Sequence, residues 1–131
     1  MYKWMMTSGA VFSLLSVVLG AFAAHGLKAQ ISEHYLSVFQ TGVHYQAIHG
    51  IGLLLCGLFA FQISRETKAP TFWLKLTALS FSFGILFFSG SLYALAITQI
   101  KWFGPVTPLG GLFFIAGWCC FIIAIVKSER V

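Results

Sequence analysis

The chain has 131 residues, of which 59% are hydrophobic and only 8% are charged, whereas about a quarter of the residues in an ordinary soluble domain are charged. Eight Lys or Arg residues against three acidic ones give a net charge of +5. So few charges cannot form the polar surface of a small soluble fold. The composition excludes a soluble globular enzyme, a disordered chain and a nucleic-acid-binding protein, and it predicts an integral membrane protein.

Four apolar segments are long enough to cross a bilayer, which takes about 20 mostly apolar residues. They lie at about residues 5–24, 43–61, 72–97 and 109–126. The predicted fold class is therefore all-α: an integral membrane protein with four transmembrane helices in a compact bundle. We expect one domain over residues 1–131, with the lipid bilayer as its main partner and no nucleic acid bound.

The first segment resembles a secretory signal peptide, because Lys3 precedes it and residues 21–23 (AFA) look like a cleavage site. The segment is longer than the apolar core of a signal peptide, and the chain after it is also apolar, so we expect it to be retained. Small residues recur in it every three or four positions and predict a face for close helix contact. They are Gly9, Ser13, Ser16, Gly20 and Ala24.

The segments are joined by short connections. Residues 26–40 carry polar side chains and predict a surface helix that starts after Ser32, a suitable N-cap with Glu33 in the first turn. Residues 64–71 and 99–108 are polar or rich in turn residues and predict tight connections.

The basic residues lie unevenly on the two sides of the predicted bundle. The side that holds both termini has Lys3, Arg65, Lys68, Lys75, Lys127 and Arg130, and the other side has Lys28 and Lys101. Because cytoplasmic loops carry an excess of Lys and Arg, this distribution predicts that the N- and C-termini are both cytoplasmic.

The polar residues of all four segments gather in the outer half of the predicted bundle. An ionisable residue in a membrane helix is costly and suggests a functional site, although Ser, Thr, Gln and His also form hydrogen bonds between helices. We therefore predict a polar outer-leaflet pocket that binds a small ligand, a lipid headgroup or a protein partner. Its candidate residues are His25, His44, Tyr45, His49, Ser89, Ser91, Tyr93 and Thr107.

A haem or metal site with histidine ligands is one alternative function. His44 and His49 are five residues apart and project about 140° apart on a helix, so they do not readily bind one ion together. A site would need His25 or His34 as a further ligand. The leading interpretation therefore includes no cofactor and no metal.

Two further alternatives are a small dimeric transporter and a structural or assembly factor. The apolar segments contain no Asp or Glu, which weakens a proton-coupled transport mechanism because His49 would have to act alone. The sequence contains no catalytic motif, so we expect a non-enzymatic protein. Formation of a homo-oligomer is also consistent with the sequence, because four short helices enclose little volume.

Four stretches of the chain resemble, in order, the bacterial membrane family called domain of unknown function 423. They are GAFAAHGL (residues 20–27), TGVHYQAIHG (41–50), FSGSLYALA (88–96) and TPLGGLFFIAGW (107–118). The resemblance covers almost the whole chain and implies a small multi-pass protein of the bacterial inner membrane, but it supplies no established activity. The family's motif positions include His25, Gly26, Tyr45, His49, Ser89, Gly90, Ser91, Tyr93, Thr107, Pro108, Gly110 and Gly111.

Overall fold

Four helical spans run antiparallel in sequence order through the computed structural model, which describes residues 1–129. Helix α1 covers Tyr2–Ala24, α2 covers Glu33–Gln62, α3 covers Thr71–Gly84, α4 covers Gly90–Thr98 and α5 covers Val106–Lys127. A π-helical turn at Ile85–Ser89 joins α3 and α4 into the third span. Arg130, one of the basic residues counted for the predicted cytoplasmic side, lies outside the described residues.

Each of the four spans is long and apolar enough to cross a membrane. Including short helical extensions, the spans are Tyr2–Leu27, Glu33–Gln62, Thr71–Thr98 and Lys101–Lys127. The part of the chain that the structure describes is helical and contains no strand. The prediction of an all-α protein with four membrane-spanning helices is confirmed.

Helix α2 starts ten residues before the predicted second segment. Ser32 is its N-cap, and the Ser32 hydroxyl accepts a hydrogen bond from the backbone N–H of Tyr35 (3.3 Å). The predicted helix start is therefore correct, but the helix is not a separate surface element. Because residues 33–62 contain no proline to interrupt it, the helix continues for 30 residues, about 45 Å at 1.5 Å per residue.

Contacts at one end of the bundle bring together the two ends of the described chain. The Tyr2 ring lies edge-on to the Phe61 ring at 5.2 Å. Near the other end of the chain, the Ser128 hydroxyl donates to Glu66 Oε1 over 2.9 Å. Both ends of the described chain therefore lie beside the α2–α3 connection, as an even number of spans requires.

Helices α1 and α2 approach so closely that their backbones touch. A β-carbon placed on Gly9 would lie 2.7 Å from the backbone nitrogen of Leu54 and 2.8 Å from the carbonyl oxygen of Gly50. In lipid, close packing at small residues contributes more to helix association than burying Leu side chains does. The predicted contact face holds at buried Gly9 and Ser16, whereas Ala24, the last residue of α1, is exposed.

The π-helical turn places the third span directly against α5. A β-carbon on Gly110 would lie 2.2 Å from the backbone nitrogen of Phe88, within the turn. From the same turn, the Ser89 hydroxyl donates to the Gly42 carbonyl of α2 over 2.7 Å. A π-turn rotates the residues after it relative to those before it, so one turn contacts α5 and α2 on different sides.

Candidate functional site

A buried polar network centred on Gln46 joins three of the helices. The Tyr93 hydroxyl of α4 donates to Gln46 Oε1 over 2.6 Å. The Gln46 side-chain amide in turn donates to the Phe12 carbonyl of α1 over 2.9 Å. Gln46 is 3% exposed, and an unpaired amide there would be costly. The network therefore joins the helices and provides a hydrogen-bond partner for each of its buried side chains.

A second polar contact joins α4 to α5. The Ser91 and Thr107 hydroxyls lie 2.6 Å apart and share a hydrogen bond, and the Ser91 hydroxyl is also 2.9 Å from the Phe88 carbonyl. Both hydroxyls are thus paired within the bundle, which is the usual arrangement for Ser and Thr between membrane helices.

The His49 imidazole has a partner at each nitrogen. Nδ1 lies 2.7 Å from the Tyr45 carbonyl oxygen, and Nε2 lies 3.0 Å from Nε1 of Trp118 on α5. A carbonyl can only accept and an indole N–H can only donate. Nδ1 must therefore carry the proton while Nε2 accepts, which defines one neutral tautomer.

Aromatic rings hold the His49 side chain in place. The imidazole stacks on Phe114 with centroids 3.6 Å apart and an interplanar angle of 11°, and it lies edge-on to Phe81 at 5.2 Å. Phe81 is fully buried and fits against Gly117, where a β-carbon would lie 2.6 Å from its ring. His49 itself is 3% exposed, so its orientation is set by packing as well as by hydrogen bonds.

An aromatic cleft of about 440 Å³ lies beside His49, between α2 and α5. We call it the α2–α5 cleft. Its lining residues are Tyr45, Ile48, His49, Phe88, Gly111, Phe114, Ile115 and Trp118. Tyr45, Ile48 and Ile115 are exposed on the outer surface of the bundle, so the cleft opens sideways and not into a central channel. Concave, mostly apolar sites with a few polar groups are typical of small-molecule binding.

The predicted site residues are distributed over several places. Tyr45 and His49 line the α2–α5 cleft, whereas Ser89 and Tyr93 belong to the buried contacts with α2. Ser91 and Thr107 form their own pair. His25 and His44 are exposed, and the His44 ring contacts the edge of Tyr45 at 6.0 Å.

Two important residues, Gln46 and Trp118, were not among the predicted site residues. Gln46 could have been found, because an amide inside an apolar helix needs a partner. Trp118 gives no comparable signal, since it is one of many aromatic residues and lies 69 positions from His49.

The positions of the potential metal ligands bear on the alternative of a histidine-bound metal. Within residues 1–129, no group of three or more His, Cys, Asp or Glu side chains is placed to hold an ion. His49 would have to give up its hydrogen bond with Trp118 or with the Tyr45 carbonyl before either nitrogen could bind a metal.

The chain is similar to membrane proteins to which no activity is assigned. A family model described as "Protein of unknown function (DUF423)" matches residues 19–111. The UPF0382 membrane protein SH2409 of Staphylococcus haemolyticus is 44% identical over 125 residues, which are 95% of this chain and 97% of that protein. The UPF0382 membrane protein YwdK of Bacillus subtilis is 44% identical over 120 residues, 91% of this chain and 93% of that protein. No solved structure matches the chain.

Proposed function

Because the chain belongs to the DUF423 family of membrane proteins, whose description assigns no function, we propose a function from the geometry of the chain itself. In this proposal the protein is a non-enzymatic membrane protein that binds an uncharged amphiphile in the α2–α5 cleft. The observation that carries this proposal is the cleft of about 440 Å³ with aromatic walls and the His49–Trp118 hydrogen bond at its edge.

The depth of the cleft favours a hydrocarbon-soluble ligand over a lipid headgroup. His49 lies near the middle of α2 and Trp118 near the middle of α5. A charged headgroup would have to leave the membrane interface to reach that depth, which is costly. An amphiphile already dissolved among the lipid tails enters from the side without that cost.

The polar groups elsewhere in the bundle support the same choice. Gln46, Tyr93, Ser89, Ser91 and Thr107 are hydrogen-bonded within the protein. No buried side-chain nitrogen or oxygen among the described residues lacks a partner. These groups therefore act as contacts between helices in our proposal, and ligand binding is assigned to the cleft.

Quenching of Trp118 fluorescence tests the proposal. We expect 1-bromo-4-dodecylbenzene, added to the protein in phosphatidylcholine vesicles, to quench a variant that keeps Trp118 and has Phe at positions 4, 73 and 102. A bromine held beside the indole gives quenching that saturates with probe concentration. The matched control keeps Trp4 alone, because its exposed fraction of 41% is close to the 38% of Trp118.

The Trp4 control is expected to show only gradual, non-saturating quenching from probe diffusing in the lipid. Equal, non-saturating quenching of the two variants would contradict the proposed function.

We also propose that the protein lies in the bacterial inner membrane with both termini in the cytoplasm. The support is the excess of Lys and Arg at one end of the bundle. At that end, Lys3, Arg65, Lys68, Lys75 and Lys127 are described, against Lys28 and Lys101 at the other.

This orientation predicts opposite labelling of two lysine positions. In a background with the three native cysteines replaced, Lys28→Cys in spheroplasts should react with a membrane-impermeant maleimide, whereas Lys68→Cys should react only after the membrane is opened. Labelling of Lys68→Cys in intact spheroplasts, without labelling of Lys28→Cys, would reverse the proposed topology.

A further inference from the structure

We infer that the ligand of the α2–α5 cleft carries a hydroxyl group, which inserts between the Trp118 indole N–H and Nε2 of His49. This inference rests on the proposed function and specifies the chemical class of its ligand: an uncharged amphiphile with an aromatic ring and a hydroxyl. The inserted hydroxyl accepts a hydrogen bond from Trp118 and donates one to His49.

His49 presents a fixed acceptor at the cleft. Its Nδ1–H donates to the Tyr45 carbonyl within the same helix, so Nε2 is the nitrogen left to accept. The 3.6 Å stack on Phe114 and the edge contact with Phe81 prevent the ring from turning away. A ligand that reaches this nitrogen therefore meets a lone pair of defined direction.

Of the two hydrogen-bonded residues, Trp118 is the one whose side chain can move. Its side chain is 38% exposed, whereas that of His49 is 3% exposed, and both residues line the cleft. Its ring is held from the side by Phe81 at 4.8 Å and by Phe121 at 6.3 Å. Nε1 of Trp118 and Nε2 of His49 lie 3.0 Å apart, and a hydroxyl oxygen hydrogen-bonded to both would hold them about 4.5 Å apart. Insertion therefore requires the Trp118 indole to shift by about 1.5 Å away from His49.

Only a group that both donates and accepts can replace this bond without leaving a partner unpaired. A ketone, ester or ether oxygen accepts from Trp118 but gives nothing to Nε2 of His49. An ammonium or a carboxylate would place a charge among residues that are all uncharged. A hydroxyl satisfies both atoms, and the surrounding rings offer surfaces on which an aromatic body can stack.

A matched pair of probes tests the hydroxyl directly. In the variant that keeps only Trp118, 4-nonylphenol and 4-nonylanisole compete with 1-bromo-4-dodecylbenzene for the cleft, and relief of quenching reports their binding. We expect the phenol to compete at a three- to tenfold lower mole fraction than the anisole, about the factor that one net hydrogen bond gives.

Variants at His49 and Trp118 separate binding in the cleft from a difference between the two probes in their partitioning into lipid. In His49→Leu the ratio between the probes should fall to about one. In Trp118→Phe, measured with tritiated 4-nonylphenol, the phenol should keep its advantage, because His49 still accepts. This second variant also gives an answer if His49→Leu does not fold.

The outcomes separate the two proposals. Equal competition by the phenol and the anisole overturns the hydroxyl inference and leaves the proposed function intact. Loss of the phenol's advantage in Trp118→Phe also overturns it, because the advantage would then depend on Trp118 and not on His49. If the brominated probe itself gives no saturable quenching of Trp118, the proposed function fails first.

Discussion

Gly110→Ala is expected to destabilise the protein by about 3 kcal/mol, the upper end of the usual cost of overpacking a core. The added methyl group would lie 2.2 Å from the backbone nitrogen and 2.6 Å from the α-carbon of Phe88. A side chain can rotate away from such a contact, but backbone atoms in a helical turn cannot. Helix α5 would therefore have to move away from the third span. The free energy of unfolding in bicelles, measured by steric trapping, checks this value.

Gly111→Ala is the matched control on the next residue. Its added methyl group would lie 3.9 Å from Cδ2 of Phe88, an ordinary contact. Ala is also about 1 kcal/mol more favourable than Gly inside a helix, so this variant should be neutral or more stable than wild type. If the two variants have the same stability, the close contact at Gly110 is not the constraint that we describe.

Gln46→Leu is expected to cost about 1–2 kcal/mol of the free energy of unfolding. The substitution removes two hydrogen bonds between helices, each worth about 0.6 kcal/mol on average in membrane proteins, and leaves the Tyr93 hydroxyl without its acceptor. Tyr93→Phe should cost less, and the double variant should cost less than the sum of the two single variants. The same unfolding measurement gives all three values.

Tyr45→Phe provides the control for loss of a tyrosine hydroxyl. Tyr45 is exposed beside the cleft, and none of the described residues is seen to accept a hydrogen bond from its hydroxyl. Its removal should change stability by less than about 0.5 kcal/mol, the usual range for surface substitutions. If Tyr93→Phe is as mild as Tyr45→Phe, the buried network contributes little to the stability of the bundle.

The sequence was sufficient for the number of spans and for some local features. Four apolar runs are a direct consequence of the bilayer's thickness, and Ser32 was recognisable as a helix start because its hydroxyl accepts from the following turn. The contact at Gly9 was also predictable, since small residues on one face permit backbone approach. Each of these features is signalled by residues close together in the chain, even where the contact itself, as at Gly9, is with a distant residue.

Features that depend on distant residues could not be predicted in the same way. The pairing of His49 with Trp118 joins positions 69 residues apart, and no spacing rule connects them. The position of each residue along its predicted membrane helix placed eight candidate residues in the outer half of the bundle. It could not show that Tyr93 turns toward Gln46 while His44 is exposed. No local pattern in its residues predicts the π-turn at Ile85–Ser89, which contacts both α2 and α5.

The backbone contact at Gly9 has a consequence for the order in which the protein is assembled. It fixes α1 to the next helix of the chain, so this hairpin can form in the membrane while later parts are still being synthesised. The α2–α5 cleft needs α5, which is synthesised after the other three described spans. The ligand that we propose for the cleft therefore cannot serve as a template for the first hairpin. On that proposal it binds only after α5 has been inserted, and it stabilises the four-span bundle by mass action.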